Sequence, residues 1–223
     1  MNKQFLPFMM RAALAAFFAC AGVAHAQKAQ PSGNDADAAR ELIIAVTTEV
    51  MNIVKNDPSI TKDMGRLTRL VDQKILPHTD MQRATRVAMG RHWKNATPPQ
   101  RQQLMTQFKD LLFYTYAGAL SKISTAQLKN QPPMNYLPLR AQNSGHEVVV
   151  ETVLMNEGNP VNIDYRLEKT SEGWKVYDVN FGGMWWTQNY QEQFDNKIAE
   201  AGIDGLLEFL SKRNQQLKAG QRA

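Results

Sequence analysis

The sequence predicts an α+β fold with N-terminal helices, a four-stranded antiparallel twisted sheet and C-terminal helices. Three observations support this prediction. Apolar residues recur at helical spacing from about residue 35 to residue 120, alternate with polar residues from 135 to 181, and return to helical spacing from 185 onward. Because helices, then a meander of strands, then helices is the order of an α+β protein, we expect helices packed on one concave face of the sheet.

The N-terminal part predicts three helices. Asp35 or Asp37 caps the first, which ends before Pro58. The second covers residues 61–76, and the third runs from Asp80 to about Met89. The first helix carries one apolar face, formed by Ala39, Leu42, Ile43, Val46, Val50, Ile53 and Val54.

A longer fourth helix follows Thr97. The Thr97 side chain can accept from the free amides of the first turn, and the two prolines after it remove no donor that the helix needs. The apolar stripe of this helix is broad. It comprises Leu104, Met105, Phe108, Leu111, Leu112, Thr115, Tyr116, Ala119 and Leu120.

Four strands are predicted at residues 135–140, 146–156, 161–168 and 174–181. The second strand is apolar on both sides, which is typical of a central strand. The residues assigned to the inward faces of the second and third strands are Val148, Val150, Thr152, Leu154, Val161, Ile163, Tyr165 and Leu167.

The pair Gly182-Gly183 predicts a sharp exit from the last strand into a helix. It lacks the glycine spacing of a dinucleotide or phosphate loop. The closing helices are expected at 185–201 and 203–217, with an interruption at Gly202.

The N-terminus reads as a secretory signal. Lys3 and Arg11 supply positive charge, residues 12–23 are apolar, and Ala24-His25-Ala26 is a small-x-small cleavage pattern. The alternative is a lipoprotein in which Cys20 is lipidated, which Phe18 argues against. We expect a signal peptide over 1–26, a flexible leader over 27–34, one domain over 35–217 and a flexible tail over 218–223.

Cleavage would leave a chain with a mild basic charge and no cysteine. Residues 1–26 hold two of the 26 Lys and Arg and none of the 21 Asp and Glu, which leaves 24 against 21, or +3. No block of Lys and Arg points to nucleic acid, and no disulfide, thiol nucleophile or cysteine metal site is expected.

The sequence offers no constellation for catalysis or metal binding. His78, His92 and His146 are far apart and lack metal-ligand spacing, and there is no Gly-x-Ser-x-Gly elbow. Glu192 and Asp195 have the spacing of an acid and base pair, but without a companion nucleophile they read as solvated surface. We predict no metal, no cofactor and no enzymatic activity.

The aromatic residues leave two interpretations open. A helix stripe facing an apolar sheet face can close into a solid core or leave a lined cavity, and periodicity does not distinguish them. The residues concerned are Trp93, Phe113, Tyr114, Tyr116, Tyr136, Tyr165, Trp174, Tyr177, Phe181, Trp185 and Trp186.

An ordered series of short segments runs through nearly all of the mature length. They are residues 89–98 (MGRHWKNATP), Gln107-Phe108, Leu111-Leu112, 115–117 (TYA), 174–179 (WKVYDV), Gly183, Asn189-Tyr190, Gln193-Phe194 and 202–206 (GIDGL). In this series, rather than in one motif, the chain resembles the MlaC family, also called the toluene-tolerance family. Trp185-Trp186 departs from the smaller residues that are usual after the glycine.

The resemblance implies a periplasmic phospholipid carrier with an apolar pocket enclosed by the helices and the sheet. Such a carrier shuttles phospholipid between the outer and inner membranes and maintains outer-membrane lipid asymmetry. Its implied partners are the phospholipid, an outer-membrane lipoprotein complex and an inner-membrane ABC transporter complex, and it acts as a monomer. The residues expected to line the pocket are Leu112, Tyr116, Val150, Thr152, Ile163, Tyr165, Val179, Phe181, Trp93 and Trp185.

Two other functions stay open. A periplasmic adaptor or chaperone with a solid core would bind proteins and no lipid. An enzyme on a similar cone-shaped scaffold would need polar groups converging in the cavity, where the assigned inward positions offer mainly Tyr and Thr hydroxyls.

Overall fold

The computed structural model describes residues 33–120, 134–139, 145–156 and 159–220. The signal peptide predicted over 1–26 lies outside these residues, as does most of the leader predicted over 27–34. The final residues of the predicted tail, 221–223, also lie outside them.

The described residues form five α-helices joined partly by short 3-10 turns. Helix α1 begins at Gly33, so Asp35 lies in its first turn and binds Lys169 instead of capping the helix. The Asp80 carboxylate caps α3 by accepting from the Arg83 backbone amide at 2.8 Å. The helices are α1 Gly33–Asn56, α2 Met64–Lys74, α3 Met81–Met89, α4 Pro98–Leu120 and α5 Trp186–Lys218.

Helix α4 begins at the predicted position because its first turn is capped reciprocally. The Thr97 amide donates to Gln100 Oε1 at 2.9 Å, and the Gln100 amide donates to Thr97 Oγ1 at 3.4 Å. This is the capping-box arrangement, which satisfies two amides that the helix leaves free.

The interruption predicted at Gly202 is a kink inside α5. Gly202 has φ 69° and ψ −172°, and Ala201 before it is also non-helical. A positive φ costs glycine little, so the helix can change direction here and continue to Lys218.

The sheet has five strands rather than the predicted four. All pairs are antiparallel, and the strands lie in chain order. They are β1 Asn135–Tyr136, β2 Glu147–Asn156, β3 Asn159–Thr170, β4 Gly173–Phe181 and β5 Met184–Trp185. The first strand is two residues long, shorter than the predicted 135–140.

The fifth strand exists because Gly182-Gly183 forms a hairpin turn and not a direct exit into a helix. Both glycines have positive φ, 61° and 94°, as a two-residue hairpin loop of the favoured hand requires. The chain therefore reverses, and Met184 pairs with Phe181 before α5 begins at Trp186.

The strand register places the inward residues on one side of the sheet. Val150 lies opposite Tyr165, which lies opposite Val179, and Thr152 lies opposite Ile163, which lies opposite Phe181. Directly opposed residues share a face. We call this side, with Val148, Leu167, Trp174 and Val176, the apolar face, and the other side, with Glu147, Glu168, Arg166 and Asp178, the polar face.

The helices contact both faces of the sheet, not one face as expected. Ala39 and Ile43 of α1 pack on the apolar face. Arg83 of α3 forms ion pairs with Glu147 and Glu168 on the polar face. Helix α5 begins directly after β5 and packs against α3 and α4 in one cluster.

The core consists of separate clusters. The largest, which we call the helical cluster, joins α3, α4 and α5 through Ala84, Ala88, Met89, Trp93, Ala96, Leu104, Phe108, Leu111, Leu112, Tyr190, Phe194, Leu206 and Leu210. A second cluster joins α1 to the apolar face, and a third joins α1, α2 and α4.

Candidate functional site

The apolar face is graded from a buried end to an exposed end. Val150 and Thr152, on the interior strand β2, are 0% and 1% exposed. Phe181 and Met184, at the far end of β4 and the start of β5, are 50% and 57% exposed. Ile163 lies between them and is half-buried. The face is therefore closed at one end and open at the other.

Helix α1 covers the closed end and is held there by polar contacts to β1. Thr47 Oγ1 lies 2.7 Å from the Tyr136 hydroxyl. Arg40 donates to the backbone carbonyls of Tyr136 and Leu137 at 3.1 and 3.3 Å. These contacts fix the position of α1 against the sheet.

The polar groups on the apolar face are neutral hydroxyls. Thr152 Oγ1 donates to the Ile163 carbonyl at 2.6 Å, so its hydrogen bond stays within the sheet. Burial raises the pKa of Tyr165, and the neighbouring Tyr136 and Asp164 raise it further. The phenol therefore stays protonated at ordinary pH, and this part of the face carries no charge.

Six of the ten predicted site residues lie together on the apolar face: Val150, Thr152, Ile163, Tyr165, Val179 and Phe181. Trp93 and Leu112 instead belong to the helical cluster. Tyr116 packs against that cluster, with its ring 4.9 Å from the ring of Trp186. Burial raises the pKa of Tyr116 to about 12.

Trp185 is the one predicted site residue on the polar face. It pairs with Asn180, and the Arg166 guanidinium lies 3.7 Å from the centre of its ring. A cation over the face of an indole is favourable. The reversal of the chain at Gly182-Gly183 places the Trp185 side chain on this face.

A buried carboxylate anchors the polar face beside Trp185. Asp178 accepts from the Thr187 amide at 3.1 Å, from the Thr187 hydroxyl at 2.7 Å and from Arg166 at 3.2 Å. Thr187 lies in the first turn of α5. Asp178 therefore caps α5 from a neighbouring strand and neutralises Arg166.

Sequence reasoning missed the part of the site that α1 contributes. Ala39, Leu42 and Ile43 pack on the apolar face, but none was assigned to the pocket. Their helical spacing was visible in the sequence. What the sequence does not show is the tertiary contact, because periodicity shows that a helix has an apolar face without showing which element packs against that face.

An open depression of about 470 Å³ lies along α1, apart from the predicted site. It is lined by Ile44, Ala45, Thr48, Glu49, Asn52, Ile53 and Asn56. None of the ten predicted site residues contributes to it.

The described residues contain neither a membrane-spanning helix nor a metal-binding cluster. Within residues 33–120, 134–139, 145–156 and 159–220, no helix is long and apolar enough to cross a membrane. Over the same ranges, no three or more His, Cys, Asp or Glu side chains are grouped so that they could hold a metal ion.

These features define an α+β protein whose sheet has one apolar face, covered by α1 at one end and exposed at the other. The chain belongs to the MlaC family, since residues 45–212 match the family model described as MlaC protein.

Two relatives show the extent of the similarity. The intermembrane phospholipid transport system binding protein MlaC of Haemophilus influenzae is 22% identical over 158 residues, which cover 70% of this chain and 72% of the relative. The structure of a phospholipid-binding protein from Ralstonia solanacearum, solved in complex with a phospholipid, is 42% identical with a TM-score of 0.74. That match covers 81% of this chain and 98% of the other.

Proposed function

We propose that this protein is a periplasmic phospholipid carrier that moves phospholipid between the outer and inner membranes and so maintains outer-membrane lipid asymmetry. The observation that carries the proposal is the apolar face, closed beneath α1 and open toward Phe181 and Met184. The Haemophilus and Ralstonia relatives support phospholipid as the ligand.

A carrier must offer acyl chains a surface that competes with the membrane interior. Each methylene moved from water into an apolar surrounding gains about 0.8 kcal/mol. A deep apolar pocket supplies this gain, whereas a shallow groove does not. The charged headgroup remains at the open end, because removing its charges from water without partners is costly.

The pocket we propose lies between α1 and the apolar face. Tyr165 supports it, because this large side chain packs against the cluster that α1 forms with the sheet and is still only half-buried. The lining consists of Val150, Thr152, Ile163, Tyr165 and Val179, opposite α1, and Phe181 lies at the open end of the face. Trp93, Leu112 and Tyr116, in or against the helical cluster, and Trp185, on the polar face, lie outside this lining.

We propose that the protein performs no chemistry on the lipid. An enzyme would need polar groups that converge on the ligand. On the apolar face Thr152 is bonded to a backbone carbonyl, and Tyr136 is paired with Thr47. These hydroxyls serve the fold.

The proposed partners are an outer-membrane lipoprotein complex and an inner-membrane ABC transporter complex, each bound transiently by a monomer. The name of the Haemophilus relative, a binding protein of an intermembrane transport system, supports them. A carrier of this kind works by visiting a donor and an acceptor in turn, so long-lived binding to either would slow transport.

The first test is native mass spectrometry of the purified mature protein, followed by solvent extraction of what it carries. Phospholipid at near one-to-one occupancy is expected. A lipid-free mass, with no uptake after incubation with liposomes, would contradict the proposal and favour the protein-binding adaptor.

A pair of neighbouring variants tests the site. Ile163→Glu places a charge on the apolar face, and Asn162→Glu places the same charge on the exposed opposite side. We expect the first variant to lose its lipid and the second to keep it, because a carboxylate in an apolar pocket opposes acyl-chain binding. A folded Ile163→Glu protein that retains lipid would contradict the assignment.

A further inference from the structure

The tip of the β4–β5 hairpin exposes two large apolar side chains at the open end of the apolar face. Phe181 and Met184 pair directly across the turn and are about half exposed. Side chains added at Gly182 or Gly183 would meet no atom within 4 Å, so among the described residues nothing packs on the turn. The tip, Phe181 to Met184, projects into solvent.

The exposure of this tip is a fixed property of the fold. The Gly182 amide donates to the Asn162 carbonyl at 3.1 Å, which ties the turn to β3. On the polar face, Arg166 holds Trp185 and Asp178 holds Thr187. The hairpin is anchored on both sides of its tip, and large apolar side chains that stay exposed in such a setting mark an interaction site.

The chain segments that form the tip carry no charged side chain. Residues 179–191 contain no Asp, Glu, Lys, Arg or His, and residues 159–163 of the adjoining strand contain none either. Arg166, on the polar face, is engaged by Trp185 and Asp178. A tip without charged side chains of its own cannot recognise an ionic headgroup or a charged protein patch electrostatically. It suits hydrocarbon, and it is continuous with Ile163 and Val179 on the apolar face.

We propose that Phe181 and Met184 form a lip over which the acyl chains of a phospholipid pass as they enter and leave the pocket. This inference rests on the proposed function and adds a kinetic role. A chain that slides across apolar side chains is never fully exposed to water during transfer, which lowers the barrier to exchange. The lip sets the rate of lipid exchange and leaves retention to the deeper residues.

The experiment measures transfer of a phospholipid with a fluorescent acyl chain between vesicles of phosphatidylethanolamine and phosphatidylglycerol. We compare the wild type, the Phe181→Ser/Met184→Ser double variant and a control, Met64→Ser. Met64 is also an exposed large apolar residue, at 41%, but it lies at the start of α2. Native mass spectrometry and thermal unfolding report lipid content and folding of each protein.

We expect the double variant to transfer lipid about tenfold more slowly, equivalent to about 1.4 kcal/mol in the barrier, with unchanged lipid content and melting temperature. Met64→Ser should stay within about twofold of the wild type, well below that barrier change. A Phe181→Leu/Met184→Leu variant should restore the rate, since the lip needs apolar side chains and no particular shape.

Three results would overturn the proposed lip. The first is a double variant that transfers lipid at the wild-type rate. The second is a folded double variant that purifies without lipid, which would make the tip part of the retention site. The third is loss of a vesicle binding that the wild type shows on flotation, which would make the tip a membrane anchor. A wild type that neither carries nor transfers lipid would instead refute the proposed function itself.

Discussion

Asp178 should be among the side chains on which stability depends most strongly, because it joins the sheet to α5. Its side chain has no exposed surface. In Asp178→Ala the amide and the hydroxyl of Thr187 lose their acceptor in a buried setting. Each buried donor left unpaired costs about 1–3 kcal/mol. Arg166 is 36% exposed and can turn to water, so its lost ion pair adds little.

We therefore expect Asp178→Ala to lower the free energy of unfolding by about 3 kcal/mol, the sum of two such donors in the lower half of that range. With an m-value of about 2 kcal/mol/M, the urea midpoint would fall by about 1.5 M. Asp178→Asn keeps one acceptor and should lose about half as much. Urea unfolding followed by circular dichroism measures each variant.

Two comparisons make this test specific. Glu172→Gln removes an exposed partner of Lys175 and should change stability by less than about 0.5 kcal/mol. Thr187→Ala combined with Asp178→Ala should cost less than the sum of the single changes, because both remove the bond from the Thr187 hydroxyl to Asp178. A loss below about 1 kcal/mol in Asp178→Ala, or strict additivity, would refute the idea that this carboxylate anchors α5.

Three further outcomes follow from single features. Gly90 has φ 52°, and an added Cβ would lie 2.7 Å from Gln191 Nε2. Gly90→Ala should therefore lower the free energy of unfolding by about 1–2 kcal/mol, as measured by urea unfolding. Gly65→Ala, inside α2, is the control and should not lower it. Burial raises the pKa of Tyr116 to about 12, so the folded state favours the neutral phenol. This contribution to stability is complete below about pH 10 and is lost as the pH rises from about 10 to about 12. The variant Tyr116→Phe should therefore lack the change in tyrosine absorbance near pH 12. Removing bound lipid should lower the melting temperature in calorimetry, because ligand at a hundred times its Kd adds about 2.7 kcal/mol; equal melting temperatures would argue against a deep pocket.

Much of the fold could be predicted because the signals are local. Thr97 and the prolines after it fix the start of α4, and Asp80 fixes the start of α3. The alternation of apolar and polar residues predicted β2, β3 and β4, and Gly202 predicted the position of the kink in α5. Caps, glycines and periodicity act within a few residues, so sequence patterns report them directly.

The fifth strand and the side of Trp185 could not be predicted in this way. Two glycines suit both a helix exit and a hairpin turn, and a two-residue strand is too short to show alternation. The side of the sheet on which Trp185 lies depends on the reversal, because a shift of one residue moves a side chain to the other face.

Strand β4 shows why strict alternation fails within one element. Trp174 and Val176 lie on the apolar face, and so do Val179 and Phe181, although these pairs differ by an odd number of residues. An irregularity opposite Arg166 and Leu167 leaves Tyr177 without a direct partner and restores the alignment. A β-bulge of this kind inserts one residue, so period-two patterning before and after it cannot share one phase.

The contacts that join α3, α4 and α5 and the lipid site that we propose do not share the same face of the sheet. The helical cluster contains no side chain of the sheet, and the ion pairs of Arg83 and Asp178 lie on the polar face. The energy that holds α3, α4 and α5 together therefore does not require a closed core on the apolar face. A carrier needs this separation, because a pocket that emptied at the expense of the main core would unfold the protein with each delivery. We accordingly expect loss of lipid to lower stability through the α1 contacts while the polar face stays assembled.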